Sequence, residues 1–205
     1  MRVTLLCLLC GCAPQHHSLA GPIPKSAGCP EGPEVTDALG ERVRLGEPEL
    51  TTVVVFLSRG TADEAADFVR QLDEELLNRP VQMVGIVDLH RYSALRRLAE
   101  IRLKTSAKES RQKRRDRRVA RGADASDLYV NRWHVVGDFD GGLLARFGVS
   151  PDSARPVAFV VGRCGKRSGP FSEVPATLRA VDHAAPKTAR KSADSGASSR
   201  LHASW

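Results

Sequence analysis

The sequence predicts an α/β domain, a three-layer sandwich with a central mixed sheet flanked by helices. Three observations carry that prediction. Thr51 to Leu57 (TTVVVFL) and Val81 to Asp88 (VQMVGIVD) are strand-length apolar runs rich in β-branched residues, the pattern of strands buried on both faces. Between them, Ala62 to Leu77 repeats apolar residues at Ala65, Phe68, Val69, Leu72 and Leu76, one face of a helix. A strand, a helix and a strand in that order call for a parallel pair with a right-handed crossover. A third buried run, Val157 to Val161 (VAFVV), is followed by a Gly-containing turn and a candidate partner strand.

The remaining elements follow in order. Asp37 to Leu45 reads as a hairpin, with Gly40 at the turn and alternation at Val43 and Leu45. From about Arg91 a helix is predicted, with Tyr92, Leu95, Leu98 and Ala99 as its apolar stripe. Beyond Leu103 that period stops, so the chain either extends as a solvated helix or is disordered. Trp133 to Asp138 is a short strand, Asp140-Gly141 a turn, and Leu143 to Phe147 a short helix ending at Gly148. Pro156 opens the third buried strand, Gly162 to Gly165 turn the chain, and Ser168 to Glu173 pair back. Pro175 to about His183 closes the domain as a helix with proline in its first turn.

A chain of 205 residues is one ordinary domain with room for extensions at both ends. Apolar residues make up 41% and aromatics only 5%, so the core is built mainly from Val, Leu, Ile and Ala. No apolar run reaches the roughly 18 residues of a membrane-spanning helix. The net charge of +7 is unevenly placed. Arg102 to Arg121 holds ten Lys/Arg against two acids, and Pro186 to Trp205 four against one, leaving the rest mildly acidic. The basic run Lys104 to Arg121 lacks interleaved aromatics for base stacking, so no nucleic-acid partner is expected. Anionic lipid or an acidic protein are its candidate partners, against a plain solvated face.

The N-terminus reads Met1-Arg2, an apolar stretch from Val3, then Leu9-Cys10-Gly11-Cys12. A positive charge, a short apolar segment and small residues before a cysteine match an export signal. The specific form resembles a bacterial lipobox. That resemblance implies a signal peptide at 1–11, a diacylglycerol on Cys12, and anchoring in the cell envelope facing the periplasm. Ala13 is not an aspartate, which favours the outer membrane. Residues 12–34, rich in proline and glycine, would be a tether, 35–184 the domain with a basic insertion at about 102–122, and 185–205 a disordered tail. Cys7 and Cys10 have redox spacing but lie inside the signal. Processing would leave Cys29 and Cys164 as the two thiols able to pair, and the sequence leaves open whether they do.

The element order, with Asp37, Gly40, Val43 and Leu45, then Val53 to Phe56, then Asp138, Gly141, Leu143, Phe147, Gly148 and Val149, and Arg155-Pro156 before VAFVV, resembles the thioredoxin-like superfamily. The likeness is to its redoxin and peroxiredoxin-type branch, and covers roughly residues 35 to 184. The resemblance implies a cis proline at Pro156 facing an active site, with nucleophilic sulfur where the first buried strand enters its helix. Here that stretch is Ser58-Arg59-Gly60-Thr61-Ala62-Asp63-Glu64, without cysteine. Thr61 and Glu64 instead have capping-box spacing, and a threonine without a positioned base is a poor nucleophile. Thr61, Glu64 and Pro156 therefore mark a degenerate site, its edge a retained groove. No cofactor is called for, and the six histidines show no metal-ligand spacing. The expectation is a redox-inactive, membrane-tethered binding or accessory module. The alternative is a thiol-disulfide oxidoreductase or peroxidase-like redoxin using Cys29 and Cys164.

Overall fold

The computed structural model describes residues 32–47, 50–76, 79–122 and 132–185. The predicted signal peptide, Cys12, Cys29, nearly all of the tether and all but the first residue of the tail lie outside them.

Two strands, β1 (Glu34–Thr36) and β2 (Arg42–Arg44), form the expected antiparallel hairpin, with Gly40 at φ 89° in its turn. β1 begins one residue before the expected position 35, and the Pro33 carbonyl accepts the Leu45 amide at 2.9 Å. The main sheet has five strands in the order β5-β4-β3-β6-β7. β3 (Thr51–Leu57) lies at its centre, parallel to β4 (Val81–Asp88) and antiparallel to β6 (Val157–Val161). β5 (Trp133–Asp138) runs parallel to β4, and β7 (Arg167–Phe171) antiparallel to β6. The mixed sheet and its helical layers are those of the predicted fold class.

Alternation along β3 supplies both faces. Val53 and Val55 pack with Phe68 and Leu72 of α1 (Ala62–Glu75), with Leu76 just past its end, and with Val181 of α4 (Val174–Ala184). Val54 and Phe56 pack beneath the β1–β2 hairpin and α3 (Gly142–Phe147), with Phe147 and Phe159. The three phenylalanine rings meet at centroid distances of 5.2 to 5.9 Å in tilted and edge-on geometry, which favours their quadrupoles. Asp138, at the end of β5, accepts the Leu144 amide at 2.9 Å and satisfies an otherwise orphaned donor of α3.

The basic segment departs most from expectation. A short 3₁₀ turn (His90–Leu95) leads into one 25-residue helix, α2 (Arg96–Ala120), laid against β5. Its inward face is Leu103, Ala107, Arg111, Arg114 and Arg118, so arginines occupy positions where apolar residues would otherwise repeat. The leucines of the predicted stripe point outward, Leu95 58% exposed and Leu98 54%, with Ile101 beside them at 65%, while Tyr92 and Ala99 are half-buried.

Candidate functional site

The stretch where the resemblance implies sulfur is a 3₁₀ turn, Arg59–Thr61, between β3 and α1. The capping box does not form. The turn draws the Thr61 hydroxyl back to Ser58, where the two hydroxyls lie 2.8 Å apart, and no side chain caps α1. Thr61 is buried and Glu64 is exposed, so these residues do not act together. The Arg155–Pro156 bond is trans. Pro156 leads straight into β6, where Val157 pairs with Phe56, and the cis bond is Gly169–Pro170.

The topology does bring Ser58 and Thr61 against Arg155 and Val157, the neighbours of Pro156. The expected groove between them is nearly closed. It holds about 10 Å³, because Phe56, Ile86, Leu144 and Val149 fill the space. That is room for about one water.

Cys164 sits at the other end of β6, in the turn Arg163–Gly165, at φ 60°. The five residues of β6 separate it from the degenerate edge by roughly 17 Å at about 3.3 Å per residue. Cys164 is disulfide-bonded, and its partner lies outside the described residues. Its sulfur is therefore not a free thiol.

Arg111 organises a polar cluster at the hairpin. It grips Glu41 with two nitrogens, at 2.8 and 3.0 Å, and reaches Asp37 at 3.1 Å. That bidentate bond holds the Glu41 carboxyl below its ordinary value, and the same bond raises Arg111. His134 Nδ1 lies 3.0 Å from the same Asp37 oxygen. Asp37, Glu41 and His134 have the donor types of a metal site, but the guanidinium already supplies the positive charge there. A second cation would have to displace it.

Deeper in, Asp73 of α1 takes both Arg114 and Arg118, the latter at 2.9 Å, and all three are buried. Arg114 stacks on the Trp133 ring at 4.6 Å. Gly85 makes this possible, because a side chain there would meet the Trp133 ring at 2.9 Å. Burial pushes Arg114 down to about 10, with Arg118 and Arg117 adding like-charge repulsion against the pull of Asp73. Sequence reasoning singled out none of these residues. The available signal was the spacing of Ala107, Arg111, Arg114 and Arg118, which keeps one helix face.

No family model matches this chain, and no curated protein matches it. Among solved structures, one similar chain is the pneumococcal exposed lipoprotein thioredoxin from Streptococcus pneumoniae. It is 15% identical with a TM-score of 0.44, covering 73% of this chain and 97% of that one. A thiol-disulfide oxidoreductase from Bacteroides fragilis is also 15% identical, with a TM-score of 0.45 over 75% and 98%. An uncharacterized conserved protein from Geobacillus kaustophilus is 13% identical, with a TM-score of 0.49 over 76% and 80%. At such identities the likeness concerns the fold alone.

Proposed function

We propose that this chain is a membrane-tethered thioredoxin-fold protein of the bacterial envelope that acts as a binding or accessory module without thiol chemistry at the usual position. One observation carries the reading. The turn from β3 into α1 presents two hydroxyls bonded to each other, 2.8 Å apart, where the chemistry of such enzymes requires sulfur. Thiolate attack on a disulfide or peroxide has no equivalent for an unactivated threonine that is also buried.

The test is turnover. Full-length protein should neither reduce insulin with dithiothreitol nor consume hydrogen peroxide above a buffer control. Activity abolished by Cys164→Ser would overturn the reading in favour of an oxidoreductase built on Cys29 and Cys164.

The anchor is part of the same proposal and rests on Leu9-Cys10-Gly11-Cys12. Protein from the native membrane fraction should have the mass of residues 12–205 plus lipid, and Cys12→Ser should release it. An intact Met1 would remove the envelope location. For partners we propose anionic lipid, met by the outer face of α2. Leu95, Leu98 and Ile101 are exposed there, and Arg97, Arg102, Lys104 and Lys108 beside them have no acidic partner among the described residues. An acidic protein partner is the other outcome of the vesicle experiment described below.

A further inference from the structure

Among the described residues, three buried side-chain nitrogens lack a hydrogen-bond partner: Arg114 Nη1, Arg117 Nε and Trp133 Nε1. All three residues line one cavity of about 530 Å³, between α1, α2 and the ends of β3 and β4. A buried donor left unpaired costs about 1–3 kcal/mol, more when charged, so three on one wall call for an acceptor.

The charge count points the same way. Among the described residues Asp73 is the only acid bonded to Arg114 and also serves Arg118, while Arg117 has no acidic partner there. The acids on the cavity wall are otherwise engaged. Asp67 pairs with Arg70 at 3.2 Å, and Asp88 with His90 at 2.5 Å. Among the described residues the Arg117 charge on this wall is therefore unmatched, although its Nε is buried, and buried charges are normally paired. The rest of the wall is mostly apolar, including Leu57, Val87 and Leu89, with Tyr92, Ser58 and Ser110 as its polar members, and the volume is that of a small-molecule site.

We propose that this cavity binds a small organic anion, with its oxyanion head on Arg114 and Arg117 and its apolar body against Leu57, Val87 and Trp133. The site does not depend on the reading above. It would take its ligand whether or not the chain is anchored or redox-active.

The experiment uses full-length protein carrying Trp205→Phe, which leaves Trp133 as the sole tryptophan reporter. Octanoate, octyl phosphate and octanol, all below their aggregation limits, are titrated against its emission. The two anions should give saturable changes, with the tighter one identifying the head group. Octanol should bind at least tenfold more weakly. Arg117→Gln should weaken the anions at least tenfold, while Arg117→Lys keeps the charge and stays within a few fold. Arg117 has no ion-pair partner to lose among the described residues, so Arg117→Gln should not lower the thermal midpoint of its parent, which circular dichroism checks. Absence of saturation, octanol binding as tightly as octanoate, or unchanged affinity in Arg117→Gln would each overturn the proposal.

Discussion

Asp73 shows how much one carboxylate can carry. Taking two guanidiniums and a carboxylate out of water costs several kcal/mol per ion, repaid only while the geometry stays complete. Asp73→Asn would leave Arg114 and Arg118 buried with a neutral partner, and we expect a loss of about 3–5 kcal/mol. Replacing all three by leucine and methionine should recover most of it, since apolar groups carry no desolvation cost. Urea titration of the two variants checks this, and equal losses would mean that packing rather than charge is at issue. Glu41 is the contrasting case, a half-exposed acid held by Arg111. Its native pKa lies below the ordinary 4.5, so its contribution is present above that value and disappears as pH falls through the lowered one. Glu41→Gln should cost about 0.5–1 kcal/mol at pH 7, within the screened range for exposed pairs. Thermal melts should show the gap from the unsubstituted chain closing as pH falls below 4.5 and through the lowered value. A gap independent of pH would assign the loss to something other than the ion pair.

At the scale of elements, most boundaries were legible because apolar periodicity reports burial directly. β3, β4 and β5 fall where their β-branched runs begin and end, and α1 where its apolar period does. α2 was legible as a helix from about Arg91, with its basic extension left open, but its inward face was not, for a physical reason. Its inward face is chosen by ion pairs to Asp37, Glu41 and Asp73, acids far away in sequence that only the tertiary fold brings near. A method that counts carbon assigns Leu95 and Leu98 to the core and the arginines to solvent, the reverse of what forms. The same inversion leaves an apolar ridge flanked by cations on the surface, and that surface can be tested. Unlipidated Cys12→Ser protein should sediment with phosphatidylglycerol vesicles and not with phosphatidylcholine, and moderate salt should release it. Each base removed at Lys104 or Lys108 should cost about 1 kcal/mol of binding, a several-fold drop. Leu98→Gln with Ile101→Gln should weaken binding while changing folding stability by less than about 0.5 kcal/mol. Equal sedimentation with both lipids would reject the lipid partner and leave an acidic protein.

The whole molecule separates two ends of one sheet. The end where β3 meets α1 holds the proposed degenerate site; the absence of cysteine there was legible in the sequence, while its closure by Leu144 and Val157 and the trans Pro156 were not. The opposite end holds the disulfide at Cys164, remote from any substrate bound at the first. Gly32 lies there as well. Its Cα would sit 3.6 Å from a side-chain carbon placed on Gly165, and a side chain on Gly32 itself would strike the Leu45 carbonyl at 1.7 Å. Cys29 is three residues upstream, a span of at most about 10 Å, so Cys29 is the partner we expect for Cys164. A bridge there ties the segment preceding β1 to the β6–β7 turn. It would hold the hairpin layer over Val54 and Phe56, which are buried beneath that layer. Such a tie constrains the unfolded chain, and dithiothreitol should therefore lower stability by about 2–4 kcal/mol. Cys29→Ser should show the same loss with no further response to the reductant. Insensitivity of the unsubstituted chain to dithiothreitol, or a mapped disulfide to another cysteine, would sink this pairing and leave the hairpin held by its packing alone.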